Sequence, residues 1–103
     1  MSYESKLKNK EIDDLFKAIL LLETEEECYR FFEDICTIKE LQAIAQRFQV
    51  ARLLDQKKTY NEIEEITKAS TATISRVNRC LLYGADGYQL ILKRLKEREQ
   101  NQG

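Results

Sequence analysis

Three threonines in this chain are each followed, three residues later, by a glutamate: Thr24 by Glu27, Thr37 by Glu40 and Thr59 by Glu62. The hydroxyl of such a pair can accept from the third amide of a new helix while the carboxylate reaches back to the cap amide, so each pair marks a helix start. The 103 residues contain no proline and only three glycines to interrupt a helix once it has begun. Apolar residues recur at three- and four-residue spacing almost throughout. The chain is therefore expected to be all-α, with short connections.

The pattern predicts about six helices. The first spans about 3–22, with an apolar face of Leu7, Ile12, Leu15, Phe16, Ile19, Leu20 and Leu22. That stripe is wider than packing on one neighbour requires, as if a second subunit covered it. The threonine–glutamate pairs open helices of about 24–36, 37–56 and 59–68. The third is apolar on more than one face through Leu41, Ile44, Ala45, Phe48, Val50, Ala51, Leu53 and Leu54. Ser70 is a suitable N-cap for a fifth helix, 71–83. Gly84 and Gly87 supply a break. A last helix, 87–98, has Leu90, Ile91 and Leu95 inside and Lys93, Arg94, Lys96 and Arg98 outside, before a fraying tail. One domain, 1–103, is expected, with dimerisation helices over 3–56.

Segment 59–83, TYNEIEEITKASTATISRVNRCLLY, has the outline of a helix-turn-helix. In such a motif the first helix braces the second, whose N-terminal residues approach base edges in the major groove. That end needs short side chains, and its free amides attract phosphate. Ser70, Thr71, Ala72, Thr73 and Ser75 meet the first need, and Lys68, Arg76 and Arg79 add cations. Ile74 and Val77 must then point inward, onto Ile63 and Ile66. Glu64 must be exposed, and Lys68 must take an ordinary helical or mildly strained turn conformation.

The net charge of −1 conceals an asymmetry. Residues 1–45 carry 6 basic and 11 acidic side chains, whereas residues 46–103 carry 11 basic and 7 acidic ones. The half containing the motif is the basic half, which fits double-stranded DNA as partner. Cys28, Cys36 and Cys80 have no CxxC spacing, and the absence of histidine argues against a zinc site. The three thiols are expected to be small core residues in a reducing, cytoplasmic setting. The longest apolar run, Ala18–Leu22, is too short for a membrane span. No histidine, glycine-rich loop or evident carboxylate pair suggests an enzyme.

Segments TIKELQAIAQR, with Thr37 and Arg47, and ASTATISR, ending in Arg76, resemble the bacterial Trp repressor family and especially its Gram-positive relatives. The resemblance implies an intertwined all-α homodimer with two projecting reading heads, acting as a transcriptional regulator and expected to be a repressor. It also implies an effector pocket at Thr37, Arg47, Arg76, Val77 and Cys80. Two of these positions depart from the family. Val77 replaces the glycine that leaves room for an indole, and Cys80 replaces a serine that meets the ligand's amino group. The resemblance therefore supports DNA binding and dimerisation better than it supports tryptophan. Arg47 and Arg76 would suit phosphate or a neighbouring carboxylate somewhat better than a small molecule. A helical adaptor without DNA, and the DNA of replication initiators, whose heads look similar, remain as alternatives.

Overall fold

The computed structural model describes residues 3–102. Its elements are six helices: α1 Lys10–Ile19, α2 Glu25–Ile35, α3 Ile38–Asp55, α4 Tyr60–Thr67, α5 Thr71–Tyr83 and α6 Gly87–Gln102. The fold is all-α, with no strand among the described residues. None of the helices in this range is long and apolar enough to cross a membrane. The chain divides into two compact units, Met1–Ile38 and Lys39–Gly103.

In the N-terminal unit α1 starts seven residues later than periodicity suggests. Asn9 is extended, and its side chain accepts from the Ile12 amide at 2.8 Å, which caps the helix there. An ion pair from Lys8 to Asp13, 2.7 Å, spans the same boundary. Leu7 consequently lies outside the helix, and Leu20 and Leu22 lie in the turns after it. Asparagine is as good an N-cap as threonine, but without a glutamate three positions on it gave no box to recognise. Thr24 caps α2, accepting from the Glu27 amide at 3.1 Å. The Glu27 carboxylate reaches back one residue further than expected, to the Glu23 amide at 2.9 Å. Neither α1 nor α2 contains a fully buried residue. Phe16, Leu20 and Leu21 are 56%, 82% and 79% exposed.

The C-terminal unit holds the core: Val50, Ala51, Ile63, Ala69, Ile74, Val77 and Leu92, flanked by Phe48, Leu53, Leu54, Tyr60, Leu81 and Tyr88. It draws on the second half of α3, while Ile44 and Ala45 in the first half stay exposed. α3 ends in a Schellman motif, with Lys58 N–H bonded to Leu53 O, Lys57 N–H to Leu54 O, and Lys57 in the left-handed region at φ 67°. α5 packs against both α4 and α6.

Three sequence expectations fail in this unit. Ile66 is 61% exposed and does not join Ile63 in the core, because a helix of two turns offers α5 only one narrow face. In α6 the buried face is Tyr88, Leu92 and Leu95, at i, i+4 and i+7, and Leu90 and Ile91 are exposed. The run Leu90-Ile91-Leu92 cannot by itself say which residue turns inward. Finally, α6 continues to Gln102 instead of fraying after 98. Lys96 pairs with Asp55 at 2.7 Å and Arg52 with Glu99 at 3.7 Å, tying its later turns to α3.

The break before α6 depends on Gly84 and Asp86. A Cβ on Gly84 would lie 2.4 Å from the Cys80 carbonyl oxygen, so the chain passes too close there for a side chain. The left-handed residue is Asp86, φ 67°, and Gly87 is the first residue of the helix. Cys28 and Cys80 are exposed and Cys36 is half-buried, all three as free thiols. The expectation of core cysteines is thereby overturned. Cys28 lies on α2, which buries nothing fully, and Cys80 lies on the open side of α5.

Candidate nucleic-acid interface and adjoining cleft

The α4–turn–α5 segment is fastened from both sides. Inside, Ile63 and Ile74 are fully buried and Val77 is nearly so. At the turn, Lys68 adopts the left-handed conformation, φ 63° and ψ 13°, and its amide donates to Glu64 O at 2.9 Å. This is the single-bond left-handed helix ending, in which a glycine is the usual occupant. The Thr67 hydroxyl donates to Ile63 O at 2.8 Å and accepts from the Ala69 amide at 3.1 Å. From α3, the Gln46 side chain donates to Thr67 O at 3.1 Å. Thr59 caps α4, accepting from the Glu62 amide at 3.2 Å.

Ser70 caps α5. Its hydroxyl accepts from the Thr73 amide and donates to the Thr73 hydroxyl, both at 3.1 Å. Thr71, the first residue of α5, donates its hydroxyl to the carboxylate of Glu64 on α4. Glu64 is therefore half-buried and engaged, not simply exposed as the motif requires. No sequence signal marks this bond, since the two residues stand seven apart on different helices.

Among the predicted interface residues, Lys68, Ser70, Thr71, Ala72, Ser75, Arg76 and Arg79 are all exposed. Ala72, Ser75 and Arg79 share one face of α5 by helical spacing, with short side chains nearest the N-terminus. Thr73 differs: it is half-buried and lies on the other side, at a cleft.

That cleft, about 270 Å³, is lined by Arg47 of α3, by Thr73, Arg76, Val77 and Cys80 of α5, and by Tyr88 of α6. Four of the five predicted effector-pocket residues thus meet at one place. Thr37, the fifth, stands immediately before α3 in the N-terminal unit. Tyr88 was missed by sequence reasoning. The signal available was its spacing with Leu92 and Leu95, which the choice of Leu90 and Ile91 as inner residues obscured. Burial pushes the Tyr88 hydroxyl above its ordinary range, and nearby Cys80 adds to this while Arg47 opposes it. The phenol accordingly remains protonated, able to donate and accept. With two guanidiniums and no carboxylate in its lining, the cleft is electropositive. Val77, 2% exposed, forms wall as well as core. No group of histidine, cysteine and acidic residues among the described residues is arranged to hold a metal.

Known proteins resemble this chain over most of its length. It is 60% identical over 94 residues to Uncharacterized protein YerC of Bacillus subtilis (strain 168), spanning 91% of this chain and 90% of that one. A Trp repressor candidate from Staphylococcus aureus, solved by crystallography, superposes with a TM-score of 0.85 at 53% identity, covering 88% of this chain and 91% of the other. A TrpR-like protein from Eubacterium eligens ATCC 27750 gives a TM-score of 0.86 at 54% identity, over 88% of this chain and 94% of the other. Residues 10–96 match the Trp repressor protein family, and the chain belongs to that family.

Proposed function

We propose that this protein is a sequence-specific DNA-binding transcriptional regulator that acts as a homodimer and represses the genes it binds. The observation that carries the reading is the N-terminus of α5: a capped, rigidly braced helix end presenting Ser70, Thr71, Ala72 and Ser75 to solvent, with Lys68, Arg76 and Arg79 around it. Short side chains let the helix enter a major groove, the free amides and cations hold phosphates, and the hydroxyls address base edges. The N-terminal helices support the dimer. With no fully buried residue in α1 or α2, and with Leu20 and Leu21 almost fully exposed, this part of the chain lacks a core of its own. Exposed apolar surface of that extent marks an interface. A second copy supplies the missing cover, and two-fold symmetry then sets two heads for half-sites about one helical turn apart.

The cleft supports an effector site in which tryptophan fits poorly. Val77 occupies space beside α5 that an indole would need, and Tyr88 places a second ring at the same cleft. Cys80 offers a thiol, a weaker acceptor for an ammonium group than a hydroxyl. A small anionic group between Arg47 and Arg76 suits the lining better.

Selection of bound duplexes from a random pool, followed by titration in salt, tests the main proposal. A two-fold symmetric consensus should emerge. If the two heads together neutralise about 6 phosphates, the slope of log K against log salt should be near −5. Melting temperature should rise with protein concentration, as for any folding coupled to association. Failure of any duplex to bind at low salt would favour a helical adaptor instead.

A further inference from the structure

We infer that Glu64 is a positioning residue for sequence readout: by accepting the hydrogen bond that the Thr71 hydroxyl donates, it leaves Thr71 a pure acceptor toward DNA and so selects a base that presents an amino group in the major groove. The inference rests on the proposed DNA-binding role and deepens it. A threonine hydroxyl has one proton to donate and two lone pairs with which to accept. Free on a surface it turns either way, which is why serine and threonine discriminate poorly among bases. Here its proton has a partner within the protein. Its proton is directed at a carboxylate that is half-buried, held on the last turn of α4, and unable to donate anything in return while ionised. Charge-assisted bonds of this kind are the stronger ones.

Thr71 itself is exposed, at the first position of α5, where a reading helix meets base edges. With its proton engaged by Glu64, the hydroxyl has only lone pairs left to offer a partner. Adenine N6 and cytosine N4 are the amino donors of the major groove, whereas guanine and thymine offer acceptors there. The Glu64 charge behind the hydroxyl adds to the same choice, since it attracts an amino group and repels a carbonyl oxygen. An acidic residue beside a phosphate-binding surface is otherwise counterproductive. Its bond to Thr71 provides a reason for its presence.

The test begins with site selection by the wild type and by Thr71→Val, which removes the hydroxyl at nearly constant shape. The base pair whose preference changes is the one beneath Thr71. Duplexes are then made with the amino group deleted at that pair, using purine for adenine or 2-pyrimidinone for cytosine. Loss of one hydrogen bond should weaken wild-type binding about threefold to tenfold. It should leave Thr71→Val binding unchanged. Glu64→Gln, whose amide can donate to the Thr71 oxygen and free its proton, should show less than about twofold sensitivity at that pair alone. Thr71→Ser should behave as wild type. General loss of stability cannot produce this pattern, because it would weaken binding to every duplex alike. The inference is overturned if Thr71→Val alters no base pair, if wild-type binding ignores amino deletion, or if Glu64→Gln is as sensitive as wild type. If the wild type enriches no sequence at all, the DNA-binding role fails and this inference with it.

Discussion

Replacing Lys68 by glycine should make the protein more stable and a weaker DNA binder. Lys68 sits at φ 63° in the turn between α4 and α5. An L-residue in the left-handed region is about 1–2 kcal/mol less favourable than in the right-handed one. Glycine is free of that penalty but loses about 0.5–1 kcal/mol more conformational freedom on folding. The Lys68 amide keeps its bond to Glu64 O in either case, and the lysine side chain is exposed. The net gain is therefore centred on about 0.75 kcal/mol, a rise of about 3–6 °C in melting temperature for a domain of this size. Lys68→Val, with a branched Cβ in the same conformation, should fall below wild type. Thermal denaturation followed by circular dichroism at one fixed protein concentration measures all three. The same Lys68→Gly variant removes one cation from each reading head. Its affinity should drop alike for all sequences, and the salt slope of a dimer should become shallower by about 2. A glycine variant that melts at or below wild type, alongside a valine variant no worse, would refute a left-handed turn. An unchanged salt slope would refute Lys68 as a phosphate contact.

Gly84→Ala should destabilise the protein by about 2 kcal/mol, read as a shift in urea midpoint, because its Cβ would lie 2.4 Å from the Cys80 carbonyl oxygen, a backbone atom with little freedom to move. Burial raises the Tyr88 pKa, so the folded state holds this proton after the unfolded chain has begun to release it. Stability should consequently decline as pH rises above about 10, the unfolded value, through the higher folded one. Tyr88→Phe should lessen that decline, as followed by denaturant titration across the alkaline range. Tryptophan should bind the wild type weakly or not at all in calorimetry, overpacking at Val77 costing about 1–3 kcal/mol. A Val77→Gly, Cys80→Ser double variant should bind more tightly, and micromolar affinity for the wild type would show the steric argument to be wrong.

The chain determines its helices by local chemistry. Thr24, Thr59 and Ser70 each cap a helix within one residue of the expected start, because a capping hydroxyl needs nothing beyond the next three residues. The inward pairing of Ile63 with Ile74 and Val77 was legible too, since a tight turn leaves two short helices one way to bury their apolar sides. The family resemblance located Arg47, Arg76, Val77 and Cys80, and these converge on one cleft. What needed tertiary structure was any choice among chemically similar neighbours. Leu92 over Leu90 and Ile91, Ile63 over Ile66, and the exposure of Cys28 and Cys80 all depend on which helix lies opposite, and periodicity says only that some helix does. The same holds for the two features of most functional interest. Tyr88 reaches the cleft from α6, and Glu64 holds the Thr71 hydroxyl from α4. Contacts between side chains on different helices arise from the packing of those helices, and a linear pattern records them nowhere.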